Sequence, residues 1–186
     1  MPAKPKTKKK KPTEIIASKI RHIPDFPKKG ILFHDVTTLI KDYKALNLAC
    51  QMLYAKVRHL KIDAVAGIES RGFVFGAILA TKFKKGMVMI RKEGKLPAKK
   101  IYAHYEREYG PCKIEVHIDA IKKGDKVLIV DDLLATGGSM MAACKLIEKL
   151  GGKVAACVFL IEMPDLKGRD KLKKYPIYRL VEFMGE

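Results

Sequence analysis

Two stretches of this chain repeat one pattern of apolar and polar positions. In each, a short unalternating apolar run, "DAVAGI" (63–68) or "KVLIV" (126–130), leads into a polar turn containing glycine, "ESRG" or "DDLLATGG". An amphipathic segment follows, "FVFGAILATKF" or "SMMAACKLIEKL", and then a second apolar run, "MVMIRK" or "KVAACVFLIEM". Apolar runs of this length without alternation read as strands buried on both faces, and joining them through helices predicts parallel βαβ units. Open parallel sheets bind ligands beyond the carboxyl ends of their strands, so both polar turns are placed on a binding edge.

Upstream, a short helix is predicted from Thr13 through Ile15, Ile16 and Ile20, stopped by the "IPDFPKKG" turn, where Pro24 and Pro27 forbid continuation. "ILF" then reads as a short extended segment. Asp42 is placed to cap a longer helix whose apolar positions Leu46, Ala49, Leu53, Val57 and Leu60 recur at steps of three and four. Between the two βαβ units, residues 93–118 ("EGKLPAKKIYAHYEREYGPCKIEVHI") are polar and aromatic with alternation but no helical period. This predicts a mobile loop flanked by antiparallel strands, and an excursion of that length inside a compact domain suits an active-site lid.

Charge changes the picture at one end. Residues 1–12, "MPAKPKTKKKKP", hold six lysines and no acid, which predicts a disordered basic arm ahead of a single domain over 13–186. The arm suits nuclear import or sequence-blind nucleic-acid contact, and equally a solubilising tail. It accounts for +6 of the net charge of +18, leaving a body at +12 that favours anionic ligands. No apolar run is long enough to span a bilayer and none forms a signal-peptide core, so the reading is cytoplasmic with no membrane partner. Cys50, Cys112, Cys144 and Cys157 lack the spacing of a zinc site or a disulfide framework. His22, His59, His104 and His117 show no ligand spacing either.

The turn after the second buried strand holds a chemical conflict. Ala135, Thr136, Gly137, Gly138 and Ser139 open a helix, where exposed amides and the helix dipole bind phosphate, yet Asp131 and Asp132 stand just before them. The motif is neither a Walker A loop nor a dinucleotide fingerprint. A sugar phosphate removes the conflict: the phosphate sits on the 136–139 amides, and the ribose hydroxyls, which are donors, take the two carboxylates as acceptors.

"VLIVDDLLATGGS" resembles the phosphoribosyl-pyrophosphate (PRPP) motif of type I phosphoribosyltransferases. "IPDFPKKGILFHDVT", "GIESRGFVFG", "IRKEGKLP" and "EREYG" are, in order, similar to segments that mark the adenine-specific members of that family. The resemblance implies an α/β fold with an open, mostly parallel sheet flanked by helices, a small N-terminal hood and a mobile catalytic loop. It implies the reaction adenine + PRPP → AMP + pyrophosphate, with Mg2+ held mainly by PRPP and reached through Asp131 and Asp132, in a homodimer.

The roles follow residue by residue. Ser70 and Arg71, with Glu69, resemble the family's pyrophosphate loop, where a non-proline cis peptide precedes the serine-type position; read without the resemblance, "ESRG" is only a turn with a surface arginine. Arg91, Lys92 and Lys95 are implied to neutralise pyrophosphate, one of them in the neighbouring subunit's site. Leu32, Phe33 and Leu133 are implied to sandwich the base, with backbone groups at Leu32 and His34 reading its edge, although "ILF" alone also suits a core. Glu108, with Tyr109 beside it, is implied to exchange a proton with the purine. Two positions depart from the family pattern: His34 replaces an arginine, and Glu93 replaces a basic residue or proline. A 6-oxopurine transferase is the nearest alternative, but those enzymes carry an acid where Ala135 stands. A PRPP-sensing regulator that binds nucleic acid is the other, and the chain shows no helix-turn-helix, zinc module or RNP-like strand to serve it.

Overall fold

The computed structural model describes residues 10–107 and 110–184, and the chain divides into two compact units, Met1–Leu48 and Ala49–Glu186. Most of the basic arm lies outside the described residues. In the first unit α1 (Pro12–Ala17) opens on a proline, which suits the first helical position, and Glu14 Oε2 accepts the Lys11 N–H at 2.9 Å. This helix stops three residues short of the predicted Ile20. The chain turns instead into β1 (Arg21–Ile23), which pairs antiparallel with β2 (Phe33–Asp35), and an Arg21–Asp35 ion pair of 2.5 Å closes the ladder. β2 therefore begins at the end of "ILF", not at its start. A one-turn helix, α2 (Thr37–Ile40), follows, and α3 (Tyr43–Val57) is capped as predicted, with Asp42 Oδ1 accepting the Ala45 N–H at 3.2 Å. The units divide within this helix, and its Ala49, Leu53 and Val57, which belong to the second, are buried.

The second unit is a seven-stranded sheet. Its strands are β3 (Ala64–Ile68), β4 (Gly86–Lys92), β5 (Lys100–Arg107), β6 (Gly110–His117), β7 (Lys126–Leu134), β8 (Lys153–Glu162) and β9 (Ile177–Glu182), in the spatial order β5-β6-β4-β3-β7-β8-β9. β4, β3, β7, β8 and β9 are parallel neighbours. Helices α4 (Gly72–Phe83) and α5 (Gly138–Lys149) follow β3 and β7, as the repeated pattern predicted. The mostly parallel sheet is thus the one read from the buried runs. Leu128, Ile129 and Val130 of β7 and Cys157 to Ile161 of β8 are completely buried or nearly so, and Ala143, Leu146 and Ile147 of α5 form one core cluster with Val127, Ile129, Cys157 and Phe159 on one face of these strands. Cys144 and Cys157 lie in this core with their sulfurs 3.7 Å apart, and hydrogen bonding between them together with burial pushes the Cys157 pKa up, so they act as small apolar groups.

Two differences from the expected elements bear on the binding edge. β7 does not end at Val130 but continues through both aspartates to Leu134, because β8 goes on offering backbone partners: Asp131 lies opposite Phe159, Leu133 opposite Ile161 and Leu134 opposite Glu162. The 93–118 excursion is an antiparallel hairpin of two eight-residue strands. Among the described residues its ladder to the parallel strands is at its root, where Arg91 and Lys92 of β4 pair with Glu115 and Ile114 of β6 and the Glu93 N–H donates to the Lys113 carbonyl at 3.2 Å. Glu115 is buried there, accepting the Gly94 N–H at 3.2 Å, with Lys100 Nζ at 3.5 Å.

Candidate active site

A cavity of about 350 Å3 opens at the carboxyl ends of the parallel strands. Its walls are the loop after β3 (Glu69, Ser70, Arg71), Lys92 at the end of β4, the hairpin residues Tyr105 and Glu106, and the run from Asp131 through the first turn of α5. The two polar turns that the sequence placed on one edge do converge.

Asp131 and Asp132 are both buried in the continued part of β7. Asp131 Oδ1 accepts the Asp132 N–H at 2.9 Å, and Asp132 Oδ2 is ion-paired with Nε of Arg71. Burial, and then the adjacent Asp132 charge, push the Asp131 pKa well above the ordinary carboxylate range. Gly72 makes this arrangement possible: a Cβ there would stand 2.7 Å from the Val130 carbonyl oxygen and 3.1 Å from Asp131 Oδ1. Only a residue without a side chain lets the start of α4 lie this close to β7.

The loop 135–137 delivers the chain to α5. Gly137 adopts φ +75, a left-handed conformation, no side chain caps the helix, and its first-turn residues Gly138, Ser139 and Met140 line the cavity. Behind the loop a Cβ on Gly137 would meet the Gly168 carbonyl oxygen at 2.5 Å, and one on Gly168 would overlap the Ala135 carbonyl oxygen. The two backbones are in direct contact. In front, a Cβ on Gly138 would lie 3.2 Å from the Glu106 carbonyl oxygen and 3.3 Å from the Tyr105 ring, so the hairpin rests on the loop.

The Glu69–Ser70 peptide bond is cis, as the resemblance implied for this loop. Glu69 Oε2 accepts the Lys92 N–H at 2.9 Å and Arg91 Nε at 3.2 Å. Burial of Glu69 opposes its ionisation, but those hydrogen bonds outweigh it and the pKa is lowered. Arg91 thus turns toward Glu69, and its Nη1 donates to the Lys95 carbonyl at 3.1 Å, while Lys92 lines the cavity and Lys95 is exposed outside its walls. Glu93, one of the two departures from the family pattern, is ion-paired with Lys113 on β6.

Leu133 lines the cavity. Leu32, Phe33 and His34 belong to the first unit, where His34 is buried with its Nδ1 2.8 Å from His22 Nδ1, and Phe33 stacks edge-on with Phe26 at 5.1 Å between ring centroids. Glu108 and Tyr109 lie outside the described residues. Sequence reasoning missed Tyr105 and Glu106; strand alternation was an available signal for Glu106, two residues from the expected Glu108, but gave none for Tyr105. It also missed Gly72 and Gly168, for which no local pattern gives a cue.

The sequence model of the phosphoribosyl transferase domain matches residues 37–183. An adenine phosphoribosyltransferase of Halothermothrix orenii is 53% identical over 163 residues, 88% of this chain and 96% of that protein. The crystal structure of adenine phosphoribosyltransferase from Thermoanaerobacter pseudethanolicus superposes with a TM-score of 0.90 at 50% identity, covering 92% of this chain and 99% of the other. The Saccharomyces cerevisiae enzyme, solved with D-2,5-dideoxy-2,5-imino-altritol 1,6-bisphosphate and adenine, matches with a TM-score of 0.85 at 38% identity over 91% of this chain and 98% of the other.

Proposed function

We propose, from the premise that this chain belongs to the adenine phosphoribosyltransferase family, that it transfers the phosphoribosyl group of PRPP to adenine, releasing AMP and pyrophosphate in purine salvage. The observation that carries this reading is the cavity in which the paired aspartates, the amides opening α5 and the Glu69–Arg71 loop meet.

In this reading the 136–139 amides hold the 5-phosphate and Asp131 and Asp132 accept from the ribose hydroxyls. Pyrophosphate faces Ser70, Arg71 and Lys92, and as it leaves the anomeric carbon the ribose ring gains positive charge. The buried carboxylates favour that charge, and the basic groups favour the negative charge on the departing oxygens; both are fixed before reaction begins, which is how preorganised groups lower a barrier. Leu133 offers the base an apolar face. Leu32, Phe33 and the backbone at His34 are assigned to adenine on their sequence resemblance, and the adenine complex of the yeast relative supports a base site in the family. Glu108 and Tyr109 are assigned the purine proton on the same ground. Ala135 at the cavity wall can neither give nor take a proton, which disfavours a 6-oxopurine.

Mg2+ is assigned mainly to the PRPP oxygens, with Asp131 and Asp132 as its protein contacts. Among the described residues no group of three or more His, Cys, Asp or Glu could cage an ion. Two carboxylates suit Mg2+, which keeps waters and completes its shell with substrate oxygens. When bound it supplies positive charge to the leaving pyrophosphate. A homodimer is proposed as well, supported by the exposed Met89, Tyr102 and Ile118 on β4, β5 and the end of β6, and by Lys95 standing outside the cavity of its own chain. Sequence-blind contact with nucleic acid through the lysine arm is proposed from its charge. Cytoplasmic placement is proposed from the scattered cysteines; no helix among the described residues is long and apolar enough to cross a membrane.

Incubation with PRPP, Mg2+ and, separately, adenine, hypoxanthine, guanine, xanthine or orotate, with pyrophosphate release as the readout, tests the assignment. Adenine is expected to lead in kcat/KM by at least about a hundredfold, since a site that hydrogen-bonds one purine edge leaves buried groups unpaired against a 6-oxo base. Comparable turnover of hypoxanthine refutes it.

A further inference from the structure

We infer that Glu162 and Arg169, neither of which lines the cavity, are positioning residues for the 5-phosphate loop. The inference rests on the reading that residues 135–139 hold that phosphate. Glu162 ends β8 directly beside Leu134, and the Met163 N–H donates to the Leu134 carbonyl at 2.9 Å, so the two chains run together up to the point where the loop begins. Glu162 is only 3% exposed. Arg169 grips it with both ends of its guanidinium, Nε to Oε1 at 2.5 Å and Nη2 to Oε2 at 2.8 Å, and Arg179 Nε on β9 adds a third bond to Oε2 at 3.2 Å. A buried carboxylate with a bidentate arginine is among the more rigid polar connections a protein can make.

What this fork secures is the turn before it. Gly168, the residue adjoining Arg169, is the one whose backbone touches Ala135 and Gly137. Lys167 enters the turn at φ 52, and Leu172 at its far end is completely buried in the core. The 167–169 backbone is therefore a fixed wall against which the loop's carbonyl side rests, leaving the amide side for the ligand. Preorganised amides lose strength once they can tilt, and a shift of about 1 Å in a supporting shell is enough to matter. Arg169 acts through Glu162 and Gly168 on the loop and touches no substrate in this assignment.

The test compares ligands that carry the 5-phosphate with one that does not. Calorimetric titration of the full chain with AMP, ribose 5-phosphate and inorganic pyrophosphate is made for wild type, Arg169→Met and Gly168→Ala. Arg169→Met is expected to weaken AMP and ribose 5-phosphate by roughly 10- to 100-fold and to leave pyrophosphate within about threefold, with Arg169→Lys recovering part of the loss because it keeps the charge but not the fork. Gly168→Ala leaves the ion pair intact and pushes a methyl group at the Ala135 carbonyl, so it should show the same selective loss; it carries the test if Arg169→Met does not fold. Equal weakening of all three ligands, or none, in the folded variants overturns the inference. Wild-type protein that fails to bind ribose 5-phosphate overturns the reading beneath it, and with it the inference.

Discussion

Asp131, buried and joined through Oδ1 to the Asp132 N–H, has its pKa raised first by burial and then by the Asp132 charge. A carboxyl whose folded-state pKa lies above its unfolded value of 3.8 stabilises the fold fully at more acid pH, and loses that contribution as pH rises through the raised value. Above pH 3.8 ionisation of this buried group therefore opposes folding, so the site gives up stability to keep a carboxyl at the position assigned to the ribose. Asp131→Asn should raise Tm at pH 8 and raise it less at pH 5, while PRPP binding and turnover fall; a gap that does not widen with pH contradicts this account. Glu106 poses a second residue-scale question, because it lines the cavity and stands two residues from Glu108. Glu108→Ala should lower kcat by about 10²–10⁴ with PRPP affinity unchanged by calorimetry, the range for a positioned acid or base. If Glu106→Ala gives that loss and Glu108→Ala retains more than about a third of kcat, the proton belongs to Glu106.

At the scale of elements, the approach of α4 to β7 depends on Gly72, and Gly72→Ala must move either the helix or the strand. Overpacking of this kind costs about 1–3 kcal/mol, and the strand is the one that carries Asp131. Chemical denaturation should show the stability loss, and PRPP titration a loss of affinity beyond what Ser70→Ala causes. Such contacts mark where sequence reading stops. The parallel strands β3, β4, β7 and β8 and the helices α4 and α5 were legible because their apolar runs and three-and-four spacing are local. So was the 135–139 loop, whose glycines and flanking acids lie together in the chain. The continuation of β7 through Asp131 and Asp132 was not, since strand pairing is made by backbone groups and is indifferent to the polar side chains that ended the apolar run. The Gly168 wall was hidden because it brings together residues about thirty apart that only the assembled sheet makes neighbours, and the Glu162–Arg169 fork because its seven-residue spacing has no helical or strand period to announce it.

For the molecule as a whole, the arm and the body should separate in function. Deleting residues 1–9 is expected to leave kcat and KM for PRPP within about threefold, since a segment that cannot bury apolar surface does not order a site. Retention on heparin in low salt should weaken, because sequence-blind binding follows the number of cations. A large loss of activity in the shortened protein would place the arm in the site or its assembly. The root of the β5–β6 hairpin has a mechanical consequence. Two residue pairs, Arg91 with Glu115 and Lys92 with Ile114, anchor strands that run on to Arg107 and Gly110, where the far end overlies Gly138. Between root and far end the hairpin is also seated on the core: Ile101, Ala103 and Tyr105 pack against the cluster that contains Met140, Ala143 and Ile147 of α5. The strand that carries Glu106 and the helix that opens at the phosphate loop thus share one support, so a displacement of either is passed to the other.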